Sequence, residues 1–99
     1  MATKKEILAF LKDKKSSYFA SFRLTKLGLM GSFSRNQAGR NSDIDLIVEF
    51  ETGTQNLSDL TEKLRKSIKR QFRREVDICR EKYIKPYYKK NILRDAIFI

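Results

Sequence analysis

A small α/β (α+β) domain, a mixed β-sheet with helices mainly on one face, is the fold this sequence predicts. Three observations point to it. Asp43 to Phe50 alternates with the period of a strand, Leu57 to Phe72 repeats apolar residues at spacings of three and four, and the other segments continue the order α-β-α-β-α-β-α. The 99 residues allow one domain, residues 1–99, and a hydrophobic content of 40% supplies one modest core.

The first element is a helix. Thr3 and Glu6 form a capping-box pattern, and Ile7, Leu8, Phe10 and Leu11 gather on one side away from Lys12, Lys14 and Lys15. A fray or bend is expected near Ser16-Ser17, with Tyr18, Phe19 and Phe22 continuing the apolar face. Leu24 to Met30 reads as a short strand. Gly31-Ser32 stops it, Phe33 to Ala38 reads as a short helical turn, and Gly39-Arg40-Asn41-Ser42 is loop chemistry. In the strand Asp43 to Phe50, Ile44, Leu46, Val48 and Phe50 point one way while Asp43, Asp45, Ile47 and Glu49 point the other.

Thr52 to Asn56 is a turn. Leu57, Leu60, Leu64, Ile68 and Phe72 then form a stripe suited to lie on a sheet, with the bases from Lys63 to Arg74 read as a solvated side. Glu75 to Cys79 is a third strand, with Val76 and Ile78 opposite in parity to Glu75 and Asp77, and Cys79 read as a small core residue. Pro86 suits the first turn of a last helix reaching Arg94, packed through Tyr83, Tyr87 and Tyr88. Ala96 to Ile99 is an apolar tail that can add a short strand.

Composition excludes several classes. There is no histidine and only one cysteine, so a zinc finger, a histidine-based triad and an internal disulfide are ruled out. No apolar run approaches the roughly 18 residues of a membrane span. Met1 to Glu6 leads into a charged helix and does not read as a signal peptide, so a cytoplasmic protein without a membrane role is expected. The net charge of +10 attracts polyanions: a nucleoside triphosphate, an acidic partner protein or nucleic acid. Within that basic chain, Asp43, Asp45, Glu49 and Glu51 lie within nine residues with no base among them. A bound cation is the simplest reason for such a knot, although Glu49 and Glu51 read as surface residues.

Asp43 and Asp45 stand at i and i+2 of a strand, on one face, with Cα atoms about 6.5–7 Å apart. Their oxygen donors favour Mg²⁺ or Mn²⁺. Asp77, at an outward parity on another strand, is the natural third carboxylate, and Glu75 is the alternative at the same parity. Three acids on an open sheet face suit two-metal phosphoryl chemistry. Gly31-Ser32 lies twelve residues before Asp43, where a glycine lets a phosphate approach the backbone and the Ser32 hydroxyl can hold it.

Gly31-Ser32, the twelve-residue step and Ser42-Asp43-Ile44-Asp45-Leu46-Ile47-Val48 resemble the signature of the DNA polymerase β-type nucleotidyltransferase superfamily. The short length and the ending Asn91 to Ala96 resemble its minimal members, the MNT-domain proteins. By that resemblance Gly31 and Ser32 would bind the nucleotide phosphates, with Arg35 as a further phosphate contact. Asp43, Asp45 and Asp77 would be the catalytic metal ligands for two Mg²⁺ ions, or Mn²⁺, and Asp77 the candidate base. ATP or another nucleoside triphosphate would be the substrate. The family usually has glycine after that arginine, whereas this chain has Asn36, a residue that tolerates a left-handed backbone. The resemblance also implies an antitoxin that transfers AMP onto a HEPN-domain toxin partner.

Two other classes compete. A binding module would keep the fold and neutralise a partner by occlusion alone. A nucleic-acid binder would act through its charge and ignore the acids. With no room expected for a separate acceptor domain in 99 residues, the partner would supply the acceptor, which favours a protein over a nucleic acid. A homo-oligomer remains compatible with the sequence.

Overall fold

Thr3 starts the first helix as its pattern predicts. In the computed structural model, which describes residues 2–99 and leaves Met1 of the expected 1–99 domain outside, its Oγ1 accepts the Glu6 backbone N–H at 3.1 Å and donates to Glu6 Oε1 at 3.0 Å. Helix α1 (Lys4–Phe22) runs unbroken through Ser16-Ser17, where a fray or bend was expected. The reason is tertiary: Tyr18 is buried, and its hydroxyl lies 2.6 Å from Ser67 Oγ on the helix packed beside it, anchoring the last turns.

Strand β1 (Leu24–Met30) follows, and α2 (Gly31–Ser34) begins directly on Gly31, earlier than the turn Phe33 to Ala38 that the residues suggested. The remaining elements are β2 (Ile44–Phe50), α3 (Leu57–Phe72), β3 (Val76–Arg80), an unforeseen 3₁₀ turn (Glu81–Tyr83), α4 (Pro86–Asp95) and β4 (Ile97–Phe98). Asp43 thus precedes β2 instead of opening it. The Ile44 N–H donates to Glu75 O at 2.9 Å, so pairing starts one residue later.

The strands lie in the order β3-β2-β1-β4, with β1 antiparallel to β2 and β4, and β2 parallel to β3. The parallel pair requires a crossover, which α3 supplies. Ile7 and Leu11 of α1, Leu64 and Ile68 of α3, and Leu27, Leu29, Ile44, Leu46 and Val48 of the sheet are fully buried in one cluster. The helices therefore cover mainly one face, as expected. Helix α4 adds no buried side chain. Tyr83, Tyr87 and Tyr88, expected to pack the last helix, are exposed, with the Tyr87 and Tyr88 rings 4.4 Å apart against each other.

The other sheet face carries Asp45, Ile47 and Glu49 on β2. Glu49, read from the sequence as a surface residue, is only 16% exposed. Its Oε1 accepts Arg80 Nε at 3.1 Å and Nη2 at 2.9 Å, and its Oε2 accepts the Lys82 backbone N–H at 2.8 Å. Arg80 in turn lies over the Phe50 and Tyr83 rings at 5.6 and 5.2 Å. Burial alone would raise the Glu49 carboxyl, but the Lys82 N–H and the Arg80 guanidinium outweigh it and hold the group below its ordinary value. A depressed carboxylate stabilises the fold above its unfolded pKa, about 4.3, and that contribution is lost as pH falls through the folded value. Glu49→Gln is expected to cost about 1–3 kcal/mol at pH 7 and nearly nothing once both states are protonated; urea melts across pH 3–8 measure this.

Candidate active site

The register of the two parallel strands decides which acids meet. Asp45 pairs with Asp77, and on its other side Asp45 pairs with Met30, the residue before Gly31. Neighbouring strands stand about 4.8 Å apart, so two carboxylates and the start of α2 share one corner of the sheet. Glu75, the other acid at that parity, lies outside this register, and its Oε1 is taken by Lys69 Nζ at 2.7 Å.

Gly31 adopts φ +74°, a left-handed conformation. A Cβ there would overlap Asp45 Oδ2 and lie 3.0 Å from Asp45 Cγ. Only glycine fits both the backbone and the neighbour. Its carbonyl accepts the Ser34 hydroxyl at 2.8 Å and the Arg35 N–H at 3.2 Å, and the Ser32 carbonyl accepts the Gln37 N–H at 2.8 Å. These bonds fold the segment after Gly31-Ser32 back on itself. Asn36 takes φ 59°, the left-handed backbone expected where the resembled family has glycine.

Asp43 and Asp77 are exposed and Asp45 is half-buried. Burial, then the charges of Asp77 and Asp43, push the Asp45 carboxyl above its ordinary value, while Arg35 pulls it back. All four side chains thus act on one field. Arg35 itself is exposed, with Nε 3.2 Å from Gln37 Oε1.

Among the described residues, no three Asp, Glu or Cys side chains converge closely enough to form a ready-made metal-holding group. Asp45 and Asp77 are neighbours by register, and Asp43 acts on Asp45 through its charge. The donor chemistry still fits a hard divalent cation, because it is all carboxylate oxygen and its mutual repulsion is what a cation relieves. Cys79 belongs to the same face; it is half-buried, not a core residue, with Sγ 3.9 Å from Met30 Sδ. A groove of about 600 Å³ lies elsewhere, beside Glu49, Arg80 and the Thr52-Gly53-Thr54 turn. Asp43 lines a smaller groove of about 200 Å³ together with Ser42, Arg74 and Glu75.

The chain belongs to the nucleotidyltransferase domain family, which matches residues 4–99, and it is an enzyme of the nucleotidyl-transfer class. It is 32% identical, over the full length of both chains, to a Methanocaldococcus jannaschii protein whose name assigns it provisionally as a protein adenylyltransferase. It is 26% identical to the protein adenylyltransferase MntA of Thermococcus cleftensis, covering 100% of this chain and 98% of that one. A solved structure described as a proposed minimal nucleotidyltransferase superposes with a TM-score of 0.79 at 26% identity, over 97% of this chain and 95% of that one. A chain from the crystal structure of a toxin–antitoxin with AMP-PNP shares the fold at a TM-score of 0.66 and 19% identity, over 88% of this chain and 70% of that one.

Proposed function

We propose that this chain is a Mg²⁺-dependent protein adenylyltransferase, one domain over residues 1–99, that moves AMP from ATP to a hydroxyl of a partner protein. The partner would be a HEPN-type toxin, and the chain its cytoplasmic antitoxin. The observation that carries the reading is the register of Asp45 with Asp77 beside Gly31. The names of the two relatives support protein as the acceptor class, and the fold shared with a toxin–antitoxin chain supports a toxin as the partner.

In this reading Asp43, Asp45 and Asp77 hold two divalent ions, which when bound supply neutralisation of the triphosphate charge. Gly31 and Ser32 bind phosphate oxygens and Arg35 adds a positive charge at the same end. Asp77 takes the proton of the acceptor hydroxyl. The hydroxyl oxygen bonds to the α-phosphorus as the bridging bond to the β-phosphate breaks, and pyrophosphate leaves. Positioning and charge neutralisation carry the rate. None of the described helices is long and apolar enough to cross a membrane.

The test is incubation with α-labelled ATP, Mg²⁺ and the protein encoded beside this one. Label is expected on the partner, lost with EDTA and lost in Asp45→Asn. Partner neutralisation that proceeds without ATP, and unlabelled, would defeat the reading.

A further inference from the structure

We infer that Arg74 is a positioning residue that sets the distance between the acid segment and the phosphate-binding turn. The inference rests on the reading of those segments proposed above. Arg74 was grouped by sequence with the solvated bases, yet it is half-buried and spans three parts of the chain. It stands three residues before Asp77, at the entry to β3. Its Nη1 donates to the Ser42 carbonyl at 2.7 Å and to the Gly39 carbonyl at 3.5 Å. Its guanidinium lies 5.2 Å from the centroid of Phe33, a residue 3% exposed and next to Ser32.

One planar cation therefore touches the residue before Asp43 and the residue after Ser32, while its backbone leads to Asp77. The loop it grips has its own geometry: the Gly39 N–H donates to Ser42 Oγ at 2.7 Å and the Ser42 N–H to Gly39 O at 3.2 Å. Arg74 fastens that closed turn to the sheet. Lysine is a poor replacement, because an ammonium lacks the flat face that stacks on Phe33 while reaching both carbonyls. Asp43 is exposed and precedes the paired part of β2; the Ile44 N–H bond to Glu75 O at 2.9 Å holds it on one side and Arg74 holds Ser42 on the other.

Three variants test this: Arg74→Met, Arg74→Lys, and Arg70→Met, which removes the same charge from an exposed site on α3. Arg74→Met is expected to lower kcat for labelled transfer about 10- to 100-fold while KM for ATP stays within about threefold. In metal-free protein, amide exchange at Gly39 and Ser42 should accelerate at least about tenfold in Arg74→Met, with the β2 core amides unchanged. Arg74→Lys should recover less than half of either loss, and Arg70→Met should change neither. An Arg74→Met protein that keeps kcat and exchange within about twofold of the parent overturns the inference. If Arg74→Met does not fold, a folded Arg74→Lys with the parent's kcat and exchange overturns it equally. If the parent chain itself transfers no label, the proposed function fails, and the exchange arm alone decides whether Arg74 holds the loop.

Discussion

Asp45→Asn is expected to abolish nucleotide transfer and, in the same protein, to raise stability at neutral pH. The two effects have one cause. The carboxylate stands half-buried between Asp77 on the next strand and the start of α2, with Asp43 nearby, so the fold disfavours its charge. That charge is what the proposed reaction needs, and losing it should lower the rate about 10³-fold or more. The folded carboxyl lies above its unfolded value, so ionisation costs stability as pH rises through the folded pKa. Below the unfolded value, about 3.9, both versions are neutral there and the difference vanishes. At pH 7 in EDTA the asparagine variant should be the more stable by less than about 1 kcal/mol, because solvent screens the part-exposed carboxylate. Paired thermal melts at pH 7 and below pH 4 measure the difference, and Mg²⁺ should reverse it by favouring the aspartate. A variant less stable than the parent in EDTA would contradict the shared cause.

Gly31→Ala should fail for two separable reasons. The left-handed backbone, φ +74°, costs a residue with a Cβ about 1–2 kcal/mol. The new methyl also overlaps Asp45 Oδ2, so the carboxylate must leave its place against Gly31. Together these should lower stability by about 2–4 kcal/mol, roughly 8 °C or more in Tm for a domain of this size, and lower transfer at least about 10²-fold. A double-mutant cycle divides them. With Asp45→Ala as background the overlapping oxygen is gone, and the cost of Gly31→Ala should fall toward the backbone strain alone. Strict additivity in that cycle would mean that the two residues do not press on each other.

Much of this was legible in the residues because it depends on period and parity. The alternation from Asp43 to Phe50 put Asp45 and Ile47 on the face opposite Ile44 and Leu46, and the leucine stripe of α3 gave the helix that covers the core. The Gly31-Ser32 turn and its distance to the acids were visible as spacing. What stayed hidden depends on partners distant in the chain. Nothing near Arg80 announces that it stacks on Phe50 and holds Glu49, and nothing near Arg74 announces Ser42 or Phe33. Likewise Ser16-Ser17 looks like a break until Tyr18 is seen bonded to Ser67. Local propensity loses there to a contact formed 49 residues away.

The parallel pairing of β2 with β3 has a temporal side. Asp45 and Asp77 become neighbours only after the intervening α3 has crossed back over the sheet. Closing a segment of that length is entropically slow compared with forming either helix. A nascent chain that has emerged only as far as Phe50 therefore owns a glycine turn and two acids but no assembled centre. In the proposed reading, the pairing of Asp45 with Asp77 is therefore the last part of the centre to form.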